Sequence, residues 1–204
     1  MPRYGTIDAD YAARLMSCHP ADDGDIYMLN LMAYRDEADY GPGGERGISG
    51  RQADDRYAPL EVLAELGANV CFFSDVVAAS EPWDRVAVVR YPTRRSFIEM
   101  QTRPDFQDKH VHKEAGMDHT TIVATLPTSG FPASGQLLLV EVWDGPTPPP
   151  LEGATEFAAE GTIIGDGRTW SGARYTPVDA VPDLSAASDK HQMIVVRPLV
   201  SQWR

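Results

Sequence analysis

One glutamate stands in an otherwise apolar run, Leu137-Leu138-Leu139-Val140-Glu141-Val142-Trp143, and chemistry is sought first there. A carboxylate in such a strand must be paired or protonated, because burying it alone is costly. With a raised pKa, Glu141 would serve as general acid or base near neutrality. Paired with Arg90 or Arg174, it would instead be half of a structural ion pair, and the residues leave both readings open. His110 is the second candidate catalytic group. It lies one turn after Phe106, on the apolar side of a helix expected from Pro104 to Glu114. A histidine there is commonly a core residue, yet it titrates near neutral pH. His119, at the mouth of a following strand, is a lesser candidate.

His110 and His112 do not make a metal pair on that helix, since residues two apart diverge by about 200°. Cys18 and Cys71 lack ligand spacing, so no metal is expected. The glycine loop at 41–47 matches neither G-x-G-x-x-G nor a phosphate loop, and there is no serine elbow or H-E-x-x-H. No cofactor is expected either.

The residues expected to bind substrate follow from strand parity. Met28, Asn30 and Met32 share one face of a strand from Ile26 to Tyr34, and Leu29 and Leu31 share the other. If the leucines meet the helices, Asn30 faces the barrel interior. Arg90 shares a face with Val86 and Val88. Tyr34 ends its strand beside the glycine loop, and Trp143 neighbours Glu141. Arg51, Asp54 and Asp55 open the next helix, where an anion could be received, although the two aspartates already suit the helix dipole.

These residues are positioned by what reads as a duplicated unit. D-I-Y-M-L-N-L-M (25–32), W-D-R-V-A-V-V-R-Y-P (83–92) and T-T-I-V-A-T-L-P (120–127) recur in order as L-L-L-V-E-V-W (137–143), W-S-G-A-R-Y (170–175) and Q-M-I-V-V-R-P (192–198). The alignment sets Glu141 against Asn30. Between these strands, Ser49 caps a helix that Pro59 should kink or divide in two, Gly67 ends it, and Thr93 caps another. The first half thus reads β-α-β-β-α-β. In the second, Pro146 and Pro148-Pro149-Pro150 exclude a long helix, and only a vestigial one fits between Pro182 and Asp189. The expected fold is α+β: two tandem ferredoxin-like units forming one intramolecular barrel, the second stripped of most helix. The divisions are a lead-in at 1–24, a first unit at 25–127, a linker at 128–135 and a degenerate unit at 136–204.

The motifs M-L-N-L-M-A-Y-R-D-E-A-D-Y (28–40), I-S-G-R-Q-A (48–53), W-D-R-V-A-V-V-R-Y-P-T-R-R-S-F (83–97) and R-P-D-F-Q (103–107) resemble a branch of the dimeric α/β-barrel superfamily defined only as a domain of unknown function. The resemblance covers roughly residues 25 to 127. It implies paired four-stranded sheets that often hold a small molecule, with superfamily activities from cofactor-free oxygenation to lactone isomerisation, polyketide cyclisation and haem chemistry.

Composition narrows the partners. Across 204 residues, 30 acidic against 18 basic side chains give a formal net charge of −12, which argues against nucleic-acid or anionic-membrane surfaces. No apolar run approaches the ~20 residues that span a bilayer, and no signal peptide is evident. A cytoplasmic protein is expected, its cysteines reduced. The stripped second unit should leave apolar strand surface that a homo-oligomer would cover. The expected function is a cofactor-free lyase, isomerase or cyclase acting on a small apolar carbonyl or phenolic compound in a barrel pocket. The alternatives are a cofactor-independent monooxygenase and a non-catalytic binding or structural barrel.

Overall fold

A computed structural model describes residues 4–203. The chain runs β1 (Thr6–Ile7), α1 (Ala9–Ser17), β2 (Ile26–Tyr34), α2 (Gly50–Tyr57), α3 (Leu60–Glu65), β3 (Asn69–Ala79), β4 (Arg85–Tyr91), α4 (Arg94–Thr102), α5 (Pro104–Gly116) and β5 (Met117–Pro127). It continues with β6 (Leu137–Trp143), β7 (Thr155–Gly165), β8 (Gly172–Val178) and β9 (His191–Ser201). The helix ends follow local chemistry. Ser49 and Gln52 form a reciprocal capping box on α2, Thr93 caps α4 through the Ser96 amide, and Pro104 opens α5. Pro59 separates α2 from α3.

Every strand pairing is antiparallel, in the order β7-β5-β2-β4-β3-β9-β6-β8, and β8 returns to β7. Eight strands therefore close into one barrel, with the short β1 added at the far end of β7. The order β5-β2-β4-β3 is followed by β9-β6-β8-β7, so each half lays down its strands in the same sequence. This corrects the expected fold class. The chain is a single, mostly-sheet antiparallel β-barrel and not an α/β-barrel of tandem ferredoxin-like units. Residues 136–203 contain no helix, and the sheet runs unbroken through β3–β9 and β5–β7. The vestigial helix expected between Pro182 and Asp189 is a loop. Among the described residues, no helix is long and apolar enough to cross a membrane.

Side-chain alternation sends Leu29, Leu31, Val86, Val88, Val140, Val142, Ile194 and Val196 inward. Phe72, Phe157, Tyr175 and Trp203 fill the middle, with Phe72 stacked on Trp203 at 5.3 Å and Tyr175 edge-on to Trp203 at 5.1 Å. The lumen is a packed core. That reverses the expected parity: the leucines face the lumen, and Met28, Asn30 and Met32 face the helices.

Helices α2 to α5 cover the outer face of the first-half strands, β2, β4, β5 and the start of β3. On the other side, Leu139, Met193 and Val195 point outward and are covered by Leu184 and Ala187 of the 179–190 loop. The chain itself thus clothes part of that strand surface, while Val77 on β3 and Leu199 on β9 stay exposed.

The helical roof is fastened to the barrel at one tight point. The Arg35 amide donates to the Gly116 carbonyl at 2.9 Å, and the Gly50 amide donates to the Arg35 carbonyl at 3.0 Å. A Cβ on Gly50 would collide with the Gly116 carbonyl oxygen and lie 2.6 and 2.8 Å from the Arg35 oxygen and nitrogen. All three obstacles are backbone, so no side chain can swing aside. Gly50→Ala is therefore expected to cost about 1–3 kcal/mol of stability by overpacking, read from urea unfolding. An unchanged midpoint would show that α2 can slide.

Candidate functional site

A cavity of about 400 Å³ lies between the roof and the barrel wall. Its floor is the outer face of the first half: Met28, Asn30 and Met32 on β2, Ala87 and Val89 on β4, and Ile122 on β5. Its roof is Tyr57 on α2, Leu63 on α3, Phe97 and Met100 on α4, and Phe106, His110 and Lys113 on α5. Tyr4 closes one side. The size and the mostly apolar lining suit a small organic molecule.

A few polar groups stand on these apolar walls. His110 is held by Phe106 at 5.6 Å and Tyr57 at 6.2 Å between ring centroids, and its Nε2 is 2.7 Å from the Tyr4 hydroxyl. Burial, and then the Lys113 charge, hold the His110 pKa below its ordinary 6.5. Burial, and then the charge of Glu114, push the Tyr4 phenol well above its usual range. The pair is accordingly a neutral imidazole beside a protonated phenol, arranged to pass a proton.

Lys113 is one turn beyond His110 on the same face of α5 and is buried. Its ammonium sits over the rings of Tyr57 and Tyr4, 5.2 and 5.6 Å from their centroids. It makes no hydrogen bond or ion pair with any described residue, and burial lowers its pKa. Asn30 is the polar floor residue, its Nδ2 donating to the Met28 carbonyl at 2.8 Å. At one end of the cavity, buried Arg85 ties floor to roof. It meets Asp54 at 3.1 Å and Asp55 at 3.0 Å, while the Tyr34 hydroxyl donates to Asp54 at 2.6 Å.

His110, Asn30 and Met28 therefore come together in the cavity, with Tyr34 behind it through Asp54. Glu141, Trp143 and Arg90 do not. Glu141 points out of the opposite wall and is buried, bound to Arg174 at 2.5 and 3.0 Å and to His191 Nε2 at 2.9 Å. Two proline carbonyls of the 144–151 loop complete the cover of Arg174, the nearer being Pro149 at 2.7 Å. Trp143 flanks that pair, with the Arg174 guanidinium 5.9 Å from its ring centroid. Arg90 reaches Asp25 with bonds of 2.9 and 2.7 Å at the barrel rim. The His119 ring lies tilted against Trp83 at 4.7 Å between centroids, away from the cavity. His110 and His112 turn to different tyrosines, Tyr4 and Tyr40.

Sequence reasoning missed Lys113, Tyr4, Tyr57 and Arg85. A signal existed for Lys113, which follows Phe106 and His110 at i+7 on the apolar stripe of α5. None existed for Tyr4, which arrives from the start of the chain.

The chain matches no described protein family, and no curated protein is matched. Two solved structures are similar. The crystal structure of methylated RPA0582 protein has a TM-score of 0.53 and 25% identity, covering 63% of this chain and 98% of that one. The crystal structure of RPA0582 from Rhodopseudomonas palustris, titled a protein of unknown function, has a TM-score of 0.51 and 26% identity, covering 62% of this chain and 99% of that one. The likeness supplies a shape and no activity.

Proposed function

We propose that this chain binds a small, mostly apolar compound bearing a ketone or phenolic oxygen in the cavity under the helices, and moves a proton on it. The observation that carries the reading is the Tyr4–His110 hydrogen bond inside an apolar cavity that also presents Lys113 and Asn30. His110 takes a proton from carbon beside the carbonyl, Tyr4 shares and returns it, and Lys113 stabilises the oxygen as charge gathers there. Such acid–base work falls in the lyase, isomerase or cyclase class and asks only for residues the cavity contains. Two free cysteines, Cys18 and Cys71, favour a reducing cytoplasm as its compartment.

Phenylacetone, a small aromatic ketone, is a suitable probe. It is expected to bind the wild-type protein in calorimetric titration, and its α-protons are expected to exchange in deuterium oxide faster than in buffer. Val89→Trp places an indole on the cavity floor and should abolish both while leaving the melting curve intact. Binding without exchange would make the chain a non-catalytic binder. Binding that survives Val89→Trp would place the ligand elsewhere.

A further inference from the structure

We infer that Lys113 is a covalent group: its amine condenses with an aldehyde or ketone carbonyl in the cavity to form an imine. This rests on the carbonyl-binding reading above and goes beyond it, since that reading requires only an N–H donor on Lys113.

The chain has three lysines, Lys109, Lys113 and Lys190, against fifteen arginines, and buries one of the three. Its other buried cations are all paired: Arg85 with Asp54, Arg94 with Glu160, and Arg174 with Glu141. Lys113 faces two tyrosine rings and open cavity, and Asp54 and Glu114 act on its charge without standing at ion-pair distance. A permanent cation in that place would be costly to bury without a counter-ion. An arginine would stack on the rings at least as well, but it cannot shed its proton, whereas a lysine can. The residue type and its isolation therefore point to an amine used as a nucleophile, the usual role of a lysine desolvated in an apolar pocket. The lowered pKa of Lys113 agrees with this.

In the step itself, the neutral amine adds to the carbonyl carbon and a proton moves from nitrogen to oxygen. The hydroxyl then takes a proton relayed through Tyr4 and leaves as water, and a protonated carbon–nitrogen double bond remains; that proton is released again when water later re-adds. His110, one turn away, removes the α-proton, and the C–H electron pair is drawn onto the imine nitrogen to give an enamine. Reprotonation through Tyr4 and addition of water return the free amine. No oxidant or reductant is consumed.

The test is reductive trapping. Wild-type protein is incubated with phenylacetone and sodium cyanoborohydride near neutral pH, and peptides are mapped by mass spectrometry. One reduced adduct on Lys113 is expected, ahead of exposed Lys190 and half-buried Lys109. Lys113→Arg should lose the adduct, while Lys190→Arg, outside the cavity, should keep both the adduct on Lys113 and calorimetric binding of phenylacetone. A wild-type protein that binds the ketone yet carries adducts only on Lys109 or Lys190, or none, would overturn the imine and leave the binding reading standing. Failure to bind phenylacetone at all would overturn both.

Discussion

Glu141→Ala is expected to lower the unfolding free energy by about 3–5 kcal/mol, the usual loss when one partner of a buried ion pair is removed. The size follows from what is left behind. Arg174 is as buried as Glu141, and its other contacts are two proline carbonyls and the Trp143 ring, none of which carries a charge to offset it. A double variant, Glu141→Leu with Arg174→Leu, should recover most of that loss, because an apolar pair of similar volume needs no compensation. Urea unfolding of the single and double variants reads this directly. Phenylacetone binding below the transition should be unchanged in both, since the pair lies on the far wall of the barrel from the cavity. A Glu141→Ala protein as stable as wild type would show that water already reaches Arg174.

His110→Asn is expected to slow α-proton exchange of phenylacetone by two to four orders of magnitude, the span of general acid–base catalysis. Asparagine retains a polar group for the Tyr4 hydroxyl but cannot accept a proton, so binding and melting should change little. The pH profile carries a sign. A base works when unprotonated, and His110 in the fold titrates below 6.5. Exchange should therefore hold level above pH 6.5 and fall only as the pH drops through the lowered value. A profile that instead declines already above pH 6.5 would assign the proton transfer to another group.

Much of the local structure can be read from residues alone, because it is set by short-range chemistry. The Ser49 cap, the break at Pro59, the Pro104 start and the two sets of four strands all express neighbours within a few positions. Closure of the barrel cannot be read that way. It depends on β3 finding β9 and β5 finding β7, across register shifts at Val76/Ala78 and Ala124/Thr125 that no spacing rule announces. The inverted parity of β2 has a similar origin. Leucine and methionine are both apolar, so the pattern identifies two faces without saying which one meets an aromatic core. For Glu141 the residues leave two readings, because an acid buried for an ion pair and an acid buried for catalysis look alike until the arginine across the strand is seen. His110 was legible because helical periodicity placed it beside Phe106, and the same periodicity extended one turn would have reached Lys113.

The floor of the cavity and the core of the barrel are made of adjacent residues: Met28 beside Leu29, Asn30 beside Leu31, Val88 beside Val89. One inserted or deleted residue in β2 or β4 would exchange the two sets, turning the floor into the lumen and the lumen into the floor. Lineages descended from this chain can therefore alter the floor only by substitution, at constant length. The glycine loop at 41–47 buries no side chain and faces no such constraint, so it can lengthen or shorten without touching the core. Divergence in ligand preference should accordingly accumulate in the identity of the floor side chains. The barrel beneath is inherited almost as a unit.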